Sequence, residues 1–130
     1  MTAPAGSPTP AAPGGALDAV SFARMLGDST RLRALSLMLA EGELCVCELV
    51  WAMRLVQPKI SRHLALLREA GIVDDRRDGT WVHYRVAANL PGWARRALES
   101  LQDGVQGRAP YADDHARLLR MPDRPGSRCG

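Results

Sequence analysis

The strongest constraint on the fold is a pair of short helical patterns followed directly by a hairpin signal. Residues 47–53 fit two apolar helical turns, and after a link of four residues Pro58 opens a second helix that runs to Ala70 and ends at Gly71. Proline suits the first position of a helix because its missing N–H has no partner there in any case. The inward face of the second helix is predicted from residues spaced four and three apart, Ile60, Leu64 and Leu67. These two patterns predict a helix-turn-helix.

The residues after Gly71 predict a β-hairpin. Two β-rich stretches, 72–73 and 81–86, flank a polar segment that contains Asp78-Gly79. This dipeptide favours a type I′ turn, in which both central residues need positive φ. A hairpin directly after the second helix of a helix-turn-helix is the wing of a winged helix. The predicted fold class is therefore mainly α with a β-hairpin wing.

The rest of the chain predicts one domain with flexible ends. Residues 1–15 are almost entirely Ala, Pro, Gly, Ser and Thr, which cannot bury enough apolar surface to offset their ordering entropy, so we expect a disordered tail. Two further helical patterns precede the helix-turn-helix, and we place the DNA-binding and dimerisation domain at residues 16–104. Residues 105–130 are expected to form a short helix, at about 111–120, and a flexible tail.

A helix that begins near Pro91 carries an apolar stripe. Its members are Leu90, Trp93, Ala94, Ala97, Leu98 and Leu101. A domain of this size has little core left to cover such a stripe. We therefore assign the stripe to dimerisation and expect a homodimer.

Composition bounds the class of protein and its location. The net charge is +3, and all but one of the 17 basic residues are arginine, a residue suited to phosphates and guanine edges. No apolar run approaches the roughly 18 to 20 residues that span a bilayer, and the N-terminus lacks signal-peptide features. We expect a cytoplasmic protein without a membrane partner. In that reducing compartment, cysteines are expected to act as ligands or redox thiols rather than as a disulfide framework.

The predicted second helix and wing supply candidate contacts to double-stranded DNA. The second helix of a helix-turn-helix lies in the major groove, where its N-terminal residues meet base edges. The candidates on that helix are Gln57, Lys59, Ser61, Arg62 and His63. Arg76 and Arg77 near the wing tip are candidates for the minor groove or flanking phosphates. The alternatives are a solvated polar helix face and arginines that only keep the hairpin soluble.

Cys45 and Cys47 lie directly ahead of the helix-turn-helix. Two adjacent thiols can hold a soft ion such as trivalent arsenic, antimony or zinc. Residues i and i+2 on a regular helix point about 200° apart, so the pair can share an ion only where the backbone is not helical. We expect ligand binding to require or enforce an unwound helix start, and we expect the helix N-terminus to lower the thiol pKa, with Glu43 and Glu48 opposing that effect. The alternative is that both cysteines are buried apolar fillers.

Four ordered motifs together resemble the ArsR (ArsR/SmtB) family of winged-helix repressors, close to its arsenic-responsive members. They are Leu26-Gly27-Asp28-Ser29-Thr30-Arg31-Leu32-Arg33, Glu43-Leu44-Cys45-Val46-Cys47-Glu48-Leu49, Gln57-Pro58-Lys59-Ile60-Ser61-Arg62-His63-Leu64 and Gly79-Thr80-Trp81-Val82-His83-Tyr84-Arg85. The resemblance implies a homodimer that binds an operator overlapping its own promoter and is released when a metalloid binds. It also implies a third cysteine three residues after the second, where this chain has Val50.

The missing third cysteine leaves the identity of the inducer open. Arsenite prefers three thiolates, whereas a monomethylated trivalent arsenical has one position blocked and needs two. Cys129 is the remaining cysteine, and either completes the site or has no part in it. We therefore name Cys45, Cys47 and Cys129 as candidate ligands, with a trivalent arsenic or antimony species (arsenite or methylarsenite) as the inducer and no resident cofactor.

Three other functions compete with this reading. The same fold with a redox or persulfide switch at the cysteines would respond to peroxide or polysulfide instead of arsenite. A divalent-metal sensor would use Asp113, Asp114 and His115, although such residues more often form a solvated helix face. A thiol oxidoreductase is disfavoured because no βαβ pattern surrounds the cysteines and their spacing is not Cys-x-x-Cys, so we do not expect an enzyme.

Overall fold

The computed structural model describes residues 17–124, so the predicted N-terminal tail and Cys129 lie outside the described residues. Within this range the elements are α1 (Ala19–Leu26), α2 (Ser29–Glu41), β1 (Leu44–Cys45), α3 (Val46–Met53), α4 (Gln57–Glu69), β2 (Val73–Asp78), β3 (Trp81–Val86), α5 (Gly92–Val105) and α6 (Tyr111–Leu119). This order confirms the predicted winged helix-turn-helix. Across residues 17–124, no helix combines the length and apolar character needed to cross a membrane.

Side-chain caps explain where the first two helices begin. Asp18 accepts a hydrogen bond from the amide of Ser21 at 2.9 Å, and Asp28 accepts one from the amide of Arg31 at 3.1 Å. Each carboxylate thus satisfies an N–H that a helix start leaves unpaired. Gly42 ends α2 with a φ of +89°, a conformation that glycine adopts without steric cost.

The helix-turn-helix consists of α3 and α4, joined by residues 54–56. Arg54 ends α3 in the left-handed conformation, with φ 55° and ψ 43°. On α4, the predicted inward residues Ile60, Leu64 and Leu67 are all buried in the core, which confirms that face. Their burial leaves the polar face of α4 turned away from the core.

The wing is the predicted hairpin of β2 and β3, and β1 pairs with β3 to complete a three-stranded antiparallel sheet. Asp78 pairs with Trp81, so Gly79 and Thr80 are the two turn residues. The expected type I′ turn centred on Asp78 and Gly79 is therefore wrong by one residue. Only Gly79 of the two turn residues has positive φ, at +64°, as expected for a two-residue turn with glycine first.

The last helix, α6, packs against α2 and α3. Asp114 is fully buried, and its two oxygens accept hydrogen bonds from Arg33, both at 2.7 Å, and from Arg117 at 2.9 Å. The expectation of a solvated face at this point is therefore wrong for Asp114. A buried carboxylate is tolerated here because two guanidinium groups neutralise it and satisfy its oxygens.

Candidate thiol site and nucleic-acid interface

The thiols of Cys45 and Cys47 converge at the start of α3. Cys45 is the N-cap residue, with extended backbone (φ −88°, ψ 164°), and Cys47 lies in the first helical turn. The two Sγ atoms are 2.9 Å apart. The i, i+2 pair meets because one member lies outside the helix, as the angular argument requires. Both sulfurs are close enough to bond the same atom.

The helix start needs no unwinding to bring the thiols together. α3 begins at Val46, so Cys45 is already non-helical before any ligand binds. The required non-helical backbone at one cysteine is therefore present, and the alternative that the ligand enforces the unwinding is wrong. A preformed pair has no such conformational cost, which favours ligand binding.

The electrostatic environment of Cys45 is opposite to the one expected. Burial raises the pKa of the Cys45 thiol well above its usual range, and the hydrogen bond with the Cys47 thiol and the negative charge of Glu48 add to this. The expected lowering by the helix N-terminus is wrong for this residue because desolvation outweighs the helix dipole. Burial therefore favours the protonated form of the Cys45 thiol.

The buried carboxylate of Glu48 stabilises the helix start that carries Cys45. Glu48 is fully buried and accepts a hydrogen bond from the Cys45 amide at 2.8 Å, and its other oxygen accepts one from Arg124 Nε at 2.6 Å. Arg124 also donates to Glu41 at 3.0 Å. Sequence reasoning noted the charge of Glu48 but missed its structural role, although a glutamate three residues after an N-cap is the spacing of a capping box. No local signal pointed to Arg124, which is 76 residues away.

A cavity of about 500 Å³ adjoins the two thiols. Its walls come from α3, from the first residue of α4, from the wing and from Met121 after α6. Sequence reasoning missed this cavity because its walls come from segments far apart in the chain.

The predicted DNA-contacting residues of α4 divide into two groups. Gln57 and Arg62 are exposed, and Lys59 and Ser61 are half-buried, all in the first half of the helix. These four residues form a polar surface, which we call the α4 face. His63 is directed elsewhere: its Nδ1 lies 3.2 Å from Arg31 Nη1, and its side chain is only 12% exposed.

The wing arginines are both exposed on β2. Arg76 forms an ion pair with Glu43, with its Nε 3.2 Å from Oε2 of that residue, and this pairing lowers the pKa of the Glu43 carboxyl. Arg76 is thus tied to the segment ahead of β1. Arg77 lies opposite Val82 in the hairpin register.

The alternative metal site in α6 is not assembled by the structure. Asp114 accepts hydrogen bonds from two arginines, and His115 Nε2 lies 2.8 Å from Glu41 Oε2. Among residues 17–124, no group of three or more His, Cys, Asp and Glu side chains is placed to hold a metal ion.

The fold and the α4 face define this chain as a winged helix-turn-helix regulator of the DNA-binding class. Residues 28–75 match the family described as "Bacterial regulatory protein, arsR family". Together with a relative that is 50% identical over 80% of each chain, this match shows that the chain belongs to the ArsR family of transcriptional regulators.

Named relatives and solved structures agree with this assignment. The chain is 50% identical over 104 residues to "Arsenic resistance transcriptional regulator ArsR1" of Pseudomonas putida, covering 80% of each chain. It is 49% identical over 80 residues to "Arsenical resistance operon repressor" of Escherichia coli, covering 62% of this chain and 68% of the relative. HlyU from Vibrio cholerae has a TM-score of 0.59 and 30% identity, covering 65% of this chain and 88% of that one. The AntR antimony-specific transcriptional repressor has a TM-score of 0.58 and 29% identity, covering 66% and 75%.

Proposed function

We propose that this chain is a metalloid-responsive transcriptional repressor. It binds operator DNA as a homodimer and is released when a trivalent arsenic or antimony species bonds to Cys45 and Cys47. The observation that carries this proposal is the pair of sulfurs 2.9 Å apart at the start of the helix-turn-helix. The arsenic-resistance names of two relatives and the antimony specificity of AntR support the same class of ligand.

The described ligand set favours a trivalent metalloid over a divalent cation. A structural Zn²⁺ site has four protein ligands, whereas within residues 17–124 no group of three or more His, Cys, Asp and Glu side chains is placed to hold a metal ion. A metalloid hydroxide can bond to two thiols, because each departing hydroxide leaves as water with the thiol proton.

The α4 face and the wing form the proposed DNA interface. Gln57, Lys59, Ser61 and Arg62 are proposed to contact a major groove, because the N-terminal half of the second helix of a helix-turn-helix meets base edges and these residues lie there. Arg76 and Arg77 are exposed on the wing and are proposed to contact the DNA backbone or minor groove. His63 supports the face through its contact with Arg31 rather than by a direct base contact.

Cys129 is proposed as the third ligand for arsenite. Arg124, the last described residue, bonds to the same Glu48 carboxylate that accepts the Cys45 amide, so the chain leaves the described range beside the thiol site. Five further residues span up to about 17 Å when extended, which is enough to bring a sulfur to the pair.

An exposed stripe on α5 supports the homodimer. Trp93, Ala97 and Leu101 are spaced four residues apart, and Trp93 and Leu101 are each 40% exposed. Ala94 and Leu98 beside them are buried in the core, so the helix presents one face inward and one outward. We propose the outward face as the contact with a second copy of the chain.

Operator release by metalloid tests the function. A fluorescent operator bound to the wild-type protein is titrated with arsenite and antimonite, and its anisotropy should fall. Cys45→Ser should bind the operator normally and resist release. Ser36→Ala, a half-buried hydroxyl on α2, serves as the control and should respond like the wild type. Unchanged release of Cys45→Ser would contradict the role of this thiol.

A further inference from the structure

We infer that the cavity beside the thiols holds the organic substituent of a trivalent arylarsenical, with its arsenic atom bonded to Cys45 and Cys47. This inference rests on the proposed function and names the class of inducer more narrowly. An aryl group is an apolar planar ring attached to arsenic, which leaves two positions for sulfur. The two described cysteines supply those two bonds without a third ligand.

The size of the cavity suits a ring. Its volume is about 500 Å³, whereas an apolar cavity of about 150 Å³ is already enough for benzene. An arsenic atom held by two sulfurs at one edge would leave most of this space unfilled. A methyl group on arsenic would fill little more of it.

The lining of the cavity is mainly apolar and aromatic, with Gln57 and Thr80 as its polar members. The side chains that would surround the ring are Val46, Val50, Trp51, Trp81, Val82 and Met121. Trp51 is held in place because its Nε1–H donates to the carbonyl of Arg117 at 3.1 Å. Aromatic rings pack favourably against one another, and a methionine sulfur packs favourably against a ring edge. A ring in this position would bury indole surface that is now more than 40% exposed on both tryptophans.

The bonding step is a substitution at arsenic that involves no change of oxidation state. In an arylarsonous acid, arsenic carries the aryl group and two hydroxides. Each thiol forms one As–S bond while one As–O bond breaks, and the thiol proton leaves with the hydroxide as water. The net products are the cyclic aryl dithioarsonite on the protein and two water molecules, so no oxidant or reductant is needed.

The cavity also joins the thiols to both DNA-contacting elements. Gln57, the first residue of α4, and Thr80, in the turn of the wing, lie on its wall. A substituent that fills the cavity therefore contacts the start of the recognition helix and the wing at once. Its effect on DNA binding should grow with its size, because a ligand shifts an equilibrium only through contacts that differ between the two states.

Operator release by three arsenicals tests the inference. Phenylarsonous acid, methylarsonous acid and arsenite are titrated into the complex of wild-type protein and fluorescent operator. We expect half-release by the phenyl compound at a concentration at least about tenfold below that of the methyl compound, because the ring removes more apolar surface from water. Met121→Ala should reduce the ratio of the methyl to the phenyl half-release concentration at least threefold. Leu119→Ala, at an exposed position two residues earlier, should leave this ratio unchanged.

A second variant guards against a folding defect in the first. Val82→Phe fills the cavity from the half-buried face of the wing. It should raise the concentration of phenylarsonous acid that gives half-release of the operator and leave the corresponding concentration of methylarsonous acid the same. If the wild type shows half-release at equal concentrations of phenylarsonous acid and methylarsonous acid, the inference is overturned and the proposed function stays intact. Failure of all three arsenicals to release the operator would overturn both.

Discussion

Val50 occupies the position on which the ligand count of this site depends. It lies three residues after Cys47, about one helical turn further along α3, and it lines the same cavity as both thiols. Its side chain is half-buried and packs against the core. A side chain at this position therefore lines the cavity beside the thiols, and its chemistry decides whether the described part of the proposed site offers two sulfurs or three.

Val50→Cys, introduced into a Cys129→Ser protein, should make the site more sensitive to arsenite. The sulfur on α3 then supplies the third bond that Cys129 is proposed to form, so half-release of the operator should need at least about tenfold less arsenite than in Cys129→Ser alone, equivalent to about 1.4 kcal/mol. Methylarsonous acid has only two positions for sulfur and should show little change. Ala40→Cys, at an exposed position on α2, is the control. An arsenite response of Val50→Cys equal to that of the control would contradict the prediction.

His63 should make the stability of the domain depend on pH near neutrality. Burial lowers the pKa of His63, and the positive charges of Arg31, Arg62 and Lys59 act in the same direction while Asp28 opposes them. As the pH falls, His63 therefore takes up a proton in the unfolded state, near the usual histidine pKa of about 6.5, before it does so in the folded state. The contribution of neutral His63 to the free energy of unfolding is fully present above the unfolded-state pKa. It is lost as the pH falls through the lower, folded-state pKa.

Urea unfolding between pH 5.5 and 8 measures this effect above the range in which the carboxylates titrate. The unfolding free energy of the wild type should fall toward pH 5.5, and the slope should be smaller in His63→Gln. His115→Gln is the control, because His115 contacts Glu41 and not the surroundings of His63. This variant should keep the part of the pH slope that His63 contributes. The prediction fails if His63→Gln and the wild type show the same slope.

At the scale of elements, α6 is held to the helix-turn-helix by arginines that share one carboxylate. Arg33 Nη2 donates to the carbonyl of Met53 at 2.9 Å, and Arg117 Nε donates to the carbonyl of Ala52 at 2.7 Å. These carbonyls belong to the last turn of α3, where no helical N–H reaches them. Asp114 orients both guanidinium groups, so one buried acid links α2, α6 and the end of α3.

Asp114→Asn should lower the free energy of unfolding by about 3 kcal/mol, because removing one partner of a buried ion pair leaves uncompensated charge. Asp113→Asn changes the neighbouring, exposed residue and should have almost no effect. Urea denaturation of both variants measures the difference. Equal midpoints for the two variants would show that the Asp114 cluster contributes little to stability.

At the scale of the whole molecule, the thiols, the recognition helix and the wing meet around one cavity, while the exposed α5 stripe lies on a separate helix. α5 has its own contact with α1, where the rings of Phe22 and Trp93 meet edge to face with centroids 5.4 Å apart. Metalloid binding and the proposed dimerisation therefore use different surfaces. A variant of the α5 stripe should affect assembly without altering the thiols.

Leu101→Glu should weaken the proposed homodimer, because a charge placed in an apolar interface loses its hydration. Sedimentation velocity should show a shift toward monomer, and operator affinity should fall at least about tenfold, the equivalent of about 1.4 kcal/mol. Leu119→Glu, at a position that is 61% exposed on α6, should leave assembly unchanged. A Leu101→Glu protein that sediments like the wild type would argue against this face.

Local sequence was sufficient for the helix-turn-helix and the wing. The buried face of α4, the start of that helix near Pro58 and the hairpin after Gly71 all follow from residues within a few positions of one another. The turn was misplaced by one residue because an Asp-Gly pair and a Gly-Thr pair can both form a two-residue turn, and only the register of β2 against β3 distinguishes them.

The sequence by itself determined the fold class, the family motifs and the presence of two thiols ahead of the recognition helix. Only the tertiary structure decided that Cys45 is buried, with its thiol pKa raised, that Asp114 is buried between two arginines and that His63 faces α2. Helix periodicity and turns depend on neighbouring residues, so they can be read along the chain. Desolvation, ion pairing and a shared cavity depend on residues brought together from distant segments, and those contacts exist only after packing.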